Sequence, residues 1–132
     1  MGGRCSIMEQ QIKCLCEQLQ RFSQVDQSNL SQDQDIWFFH GWVAELAVLN
    51  LKEIIVFWQG LGEAEAYRRG VTKEMIQWIT RDIEQCLVNA QRCFEEAKTN
   101  PDSNRSRGSL NAFLEAVTRL SDLRTRLTIG ET

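Results

Sequence analysis

The sequence predicts an all-α protein: an antiparallel bundle of four long helices plus one short helix, with the helix over residues 32–59 at its centre. Three observations carry that expectation. Apolar residues recur at steps of three and four in residues 8–22, 76–97 and 110–127, the repeat of a single buried helical face. Pro101 is the only proline in 132 residues, so long helices can run unbroken. Residues 36–61 (IWFFHGWVAELAVLNLKEIIVFWQGL) are apolar nearly all the way round, and a helix of that kind is ordinarily wrapped by its neighbours.

Helix 1 is expected over roughly residues 5–25. Met8, Ile12, Leu15, Leu19 and Phe22 step by 4, 3, 4 and 3 along one seam, while Glu9–Lys13 and Glu17–Arg21 are acid-first pairs four apart on the outer face. The polar stretch 24–34 (QVDQSNLSQDQ) reads as a loop, and Ser31 with Gln34 fits a capping box for the next helix. Helix 2 follows, with Glu45, Lys52 and Gln59 recurring every seven residues on one narrow strip. Charges in mid-segment would each cost up to about 2.5–3.5 kcal/mol in a bilayer, so a helix packed on three sides in water accounts for it better than a membrane span.

Gly60 and Gly62 end that helix. Residues 63–70 (EAEAYRRG) place acids in the first turn, bases in the last and glycine after, the pattern of a short helix that follows its own dipole. Thr72 is placed to cap helix 4, which runs to about Lys98 with Ile76, Ile79, Ile83, Leu87, Ala90, Phe94 and Ala97 on its stripe. Helix 5 spans roughly 109–128, with Leu110, Phe113, Val117, Leu120 and Leu127 facing inward. No internal repeat or strand-like alternation competes with these assignments. Residues 1–132 form one domain, in which 1–4 and 99–108 (the latter TNPDSNRSRG) are expected to be flexible.

The net charge of −3 divides into −3 over residues 1–60, −1 over 61–99 and +1 over 100–132. A mildly acidic body with a mildly basic tail argues against broad electrostatic capture of nucleic acid. Five cysteines (Cys5, Cys14, Cys16, Cys86, Cys93) and no apolar leader in residues 1–15 point to free thiols in a reducing, cytoplasmic compartment. Cys14 and Cys16 stand about 200° apart on a helix, and the single histidine, His40, lies in another segment, so no metal site is expected. The hydrolytic, nucleotide-binding and di-iron motifs are missing, and neither a catalytic residue nor a cofactor is expected. His40, among Phe38, Phe39 and Trp42, is read as structural.

The sequence therefore predicts a non-enzymatic subunit, adaptor or assembly factor that binds another protein chain or itself. Trp37 and Trp42 are five apart and cannot both point at one neighbour, so at least one is expected to face a different helix or another subunit. They and the helix 1 seam (Met8, Ile12, Leu15, Leu19) are the candidate docking residues. A second reading is a small subunit of a nucleic-acid-handling complex, with Arg68, Arg69, Arg105, Arg107 and Arg124 gripping phosphates. In that tail Arg119 and Arg126 are expected to be taken up by Glu115 and Asp122, each four residues earlier. A third reading takes MGGRCS as an acylation signal, Gly2 for myristate and Cys5 for palmitate, which would bring the protein to a membrane surface.

Overall fold

The computed structural model describes residues 6–28, 30, 34–100 and 105–129. Within them the chain is all α, without strands: α1 (Ile7–Ser23), α2 (Gln34–Leu61), α3 (Glu63–Arg68), α4 (Lys73–Thr99) and α5 (Arg105–Thr128). Four are long and one is short, as the periodicity predicts. The helix starts follow from local chemistry. The Ser6 hydroxyl accepts from the Glu9 backbone N–H at 3.1 Å and Thr72 does the same for Met75 at 3.2 Å, each satisfying a donor that the first turn leaves unpaired. Ser31, the expected cap of α2, lies outside the described residues.

α5 begins four residues earlier than the sequence predicts. Its first turn is held against α4: Ser106 is buried, the Arg105 guanidinium meets Glu96 at 2.9 Å, and the Cys93 thiol lies 4.0 Å from the Arg105 carbonyl. Of the expected loop 99–108, Thr99 closes α4 and 105–108 open α5, while 101–104 lie outside the described residues.

The long helices form two antiparallel hairpins. Phe22 at the end of α1 meets His40 at the start of α2, with ring centroids 6.4 Å apart. Across α4 and α5, Glu96 pairs with Arg105 and Asp82 with Arg119. The hairpins then pack side by side so that α2 and α5 run in the same direction: His40 meets Ser109, and Glu53 meets Arg124. α3 makes the turn from one hairpin to the other between Gly62 (φ 83°) and Gly70 (φ 82°), in the left-handed region where glycine is the residue of choice. Arg69 of this connection donates to the Leu127 carbonyl at 2.6 Å, which fastens α3 to the end of α5.

One seam of each long helix fills the core, including Leu15 and Leu19 of α1, Leu51 and Ile54 of α2, Ile83 and Leu87 of α4, and Phe113 and Leu120 of α5. At one end the core closes in an aromatic cluster. Trp37 stacks on His40 at 4.3 Å and meets the edge of Phe94 at 5.1 Å. Gly41 is buried there against the end of α1, where a Cβ would come into ordinary contact with the Ser23 carbonyl oxygen at 3.4 Å.

α2 touches each of the other four helices, so it is the hub of the bundle. It is not sheathed. Its long contacts are with α1 and α5, and the side turned away from both stays open.

Candidate functional site

A helix at the corner of a bundle buries one arc and leaves the rest to solvent, where polar residues normally stand. α2 departs from that rule. Its exposed positions include 35, 38, 42, 45, 49, 52, 56 and 59, alternating steps of three and four down the outer face. They read Asp, Phe, Trp, Glu, Leu, Lys, Val and Gln. Phe38 is 65% exposed, Trp42 51%, Leu49 58% and Val56 64%. Large apolar side chains scattered singly on a surface are ordinary, whereas four in one line, with Glu45 and Lys52 between them, are consistent with an interaction surface.

Grooves flank this strip on both sides. Between α1 and α2 a cleft of about 540 Å³ is floored by Ile12, Cys16 and Ile55 and edged by Lys13, Glu17 and Lys52. On the other side Leu46, Leu49 and Asn50 face Leu114, Val117 and Thr118 of α5. Leu114 is itself exposed and widens the apolar band.

The structure separates the two tryptophans that the sequence sets at odds. Trp42 is on the outer face, and Trp37 is buried among His40 and Phe94. Met8, Ile12, Leu15 and Leu19 are buried as well, which corrects their candidacy for docking: the α1 seam is spent on the bundle's own core. Of the six candidate docking residues, Trp42 alone is exposed. Phe38, Leu49 and Val56 were not singled out from sequence, although the Glu45–Lys52–Gln59 spacing marks the same face.

The five candidate phosphate-gripping arginines do not converge. Arg105 and Arg107 open α5 and Arg124 lies near its far end, about 25–30 Å away along the helix. Arg68 and Arg69 sit at that far end, both on Glu65. Arg105 is met by Glu96 and Arg124 by Glu53, each at 2.9 Å, so four of the five already face a carboxylate. Arg119 also departs from expectation, reaching across to Asp82 at 3.5 Å rather than to Glu115, whereas Arg126 does pair with Asp122 at 3.1 Å. Gly2 and Cys5 lie outside the described residues.

His40 is structural in its geometry. Its Nδ1–H donates to the Ile36 carbonyl at 2.9 Å, an acceptor-only partner that fixes the tautomer, and its Nε2 accepts from the Ser109 hydroxyl at 3.1 Å. Burial holds its pKa below the ordinary value, partly offset by the Ile36 carbonyl.

The described cysteines are free thiols. Cys14 is exposed, whereas Cys16 is in the core, where burial pushes its thiol up to about 11 against a smaller lowering by Lys52. At pH 8 an alkylating reagent is expected to label Cys14 in the native protein. Cys16 should react at least about a hundredfold more slowly than an ordinary thiol, because so little of it is thiolate. Peptide mass mapping against an unfolded control checks this, and equal labelling of both would refute the buried placement of Cys16.

Among the described residues no group of three or more His, Cys, Asp or Glu is arranged to hold a metal ion, and no helix is long and apolar enough to cross a membrane. No protein-family model, curated protein or solved structure matches the chain.

Proposed function

We propose that this protein is a non-catalytic contact subunit, and that the outer face of α2 is its docking surface for another polypeptide chain. One observation carries the reading: Phe38, Trp42, Leu49 and Val56 stand exposed in a single line on the most apolar helix of the bundle. Burying such side chains yields about 25 cal/mol per Å² of apolar surface, and a tryptophan near the middle of a patch is the kind of residue that concentrates binding energy. Charges at Glu45 and Lys52 interrupt the strip and supply register and specificity. Nothing in the arrangement of the arginines favours the phosphate-binding reading over this one.

The test compares tagged wild-type protein with Leu49→Asp in the cells the protein comes from, alongside a second copy carrying a different tag. Leu49 is outside the core, so the variant is expected to stay folded as a helical bundle. The wild type should retain a chain in stoichiometric amount, whether a foreign protein or the second copy, and Leu49→Asp should lose it. Retention of the same chain by both proteins would place docking on another face, and a wild type that retains nothing would end the proposal.

A further inference from the structure

We infer that the occupant of this face is a second copy of the same chain, seated with α2 antiparallel to α2 about a twofold axis near Leu49. The inference rests on the docking reading above and adds the identity of the occupant.

Read outward from Leu49, the strip is its own complement. Seven residues before it stands Trp42 and seven after it Val56; eleven before stands Phe38 and eleven after Gly60. At 100° per residue these five positions fall within an arc of about 40°. Laying a reversed copy on the strip sets Trp42 against Val56, Phe38 against Gly60 and Leu49 against itself, a large group over a small one at each level away from the axis. Gly60 has nothing within 4 Å of where a Cβ would stand, which leaves room for a phenyl ring.

The charges match under the same operation. Glu45 and Lys52 lie on one flank of the arc, exposed, and neither forms an ion pair within the chain among the described residues. A twofold axis perpendicular to two antiparallel helices keeps each flank on its own side. Glu45 of each copy then comes beside Lys52 of the other, offset by about 1.5 Å along the helix. A self-complementary patch therefore gains two ion pairs at the rim of an apolar seam. Parallel seating lacks both features: it stacks Trp42 on Trp42 and Gly60 on Gly60, and separates Glu45 from the second copy's Lys52 by about 10 Å along the axis.

The test is sedimentation equilibrium of the purified full-length protein over a wide concentration range, with helix content followed by circular dichroism. Wild type should dimerise, and Leu49→Asp should shift the protein to monomer. Glu45→Lys and Lys52→Glu each set like charges together twice per dimer, so each alone should weaken association about tenfold or more. The double variant Glu45→Lys/Lys52→Glu restores both pairs and should return to within about threefold of wild type. These two residues are exposed and form no ion pair among the described residues, so the charge series reads the contact even if Leu49→Asp lowers helix content. A wild type that stays monomeric throughout overturns the second copy, while a foreign partner is still decided separately by the retention comparison. A dimer indifferent to Leu49→Asp, or single charge variants that the double variant does not rescue, overturns the antiparallel seating.

Discussion

Trp37→Ala is expected to lower stability by about 3 kcal/mol, near the bottom of the 3–5 kcal/mol range for truncating a buried tryptophan. Trp37 joins three elements at one end of the bundle: its own helix, Phe94 of α4 and, through the stacked His40 ring, Phe22 of α1. Removing the indole takes away the ring that His40 stacks on and that Phe94 meets edge-on, and leaves a cavity between them. The lower end of the range applies because the indole N–H is buried without an acceptor among the described residues, and truncation relieves that desolvation, worth about 1–3 kcal/mol. For a domain of this size the melting temperature should fall by on the order of 10 °C. Trp42→Ala is the internal control. Half exposed, it should change stability by less than about 1 kcal/mol, measured on monomer so that loss of self-association does not enter. Urea unfolding of the two variants side by side decides the matter, and equal costs would contradict the separation of the two side chains into core and surface.

His40 is expected to make the stability pH-dependent on the acid side of neutrality. At pH 8 the imidazole is neutral in both the native and the unfolded chain, and it contributes no slope. As the pH falls below the ordinary histidine value of about 6.5, the unfolded chain takes up a proton that the buried ring resists. Stability then falls by at most about 1.4 kcal/mol per pH unit until the native ring protonates too. The groups facing the ring are Phe22, Trp37, the Ile36 carbonyl and the Ser109 hydroxyl, none of them charged. His40 is the only histidine in the chain, so a slope between pH 5 and 7 can be traced to it. Asp26, held low by the Ser28 N–H, and Glu65, held low by Arg68 and Arg69, act only at more acid pH. His40→Gln should cost about 1–3 kcal/mol at pH 8 through its altered hydrogen bonds and flatten the profile between pH 5 and 7. A wild-type profile already flat there would mean that the ring titrates freely.

Much of the bundle is legible in the residue pattern. The Met8–Phe22 and Ile76–Phe94 seams are buried as their spacing predicts, because a stripe at steps of three and four has only one helical face to occupy. The short helix before Gly70 and the cap at Thr72 are legible for the same reason, since local rules govern them. α2 is the exception. A helix apolar on every side announces that it needs neighbours without saying which arcs the chain itself will cover, so the outer strip cannot be told from the inner one by hydropathy. Only the packing of α1 and α5 sets Trp42 apart from Trp37. The arginines illustrate the same limit: Arg119 has carboxylates both along its own helix and across to α4, and tertiary proximity chooses Asp82. Arg105 and Arg124 likewise find their carboxylates on other helices, pairings that no spacing rule reaches.

The shared direction of α2 and α5 bears on how the molecule is put together. Within the α4/α5 hairpin, Glu96 and Arg105 are nine residues apart, whereas His40 to Ser109 and Glu53 to Arg124 span 69 and 71. Closing the longer loops costs more chain entropy and awaits both hairpins. The seam between α2 and α5 is therefore where the two halves are expected to meet last during folding. Pulse-labelled hydrogen exchange during refolding should then show protection within each hairpin before protection across that seam.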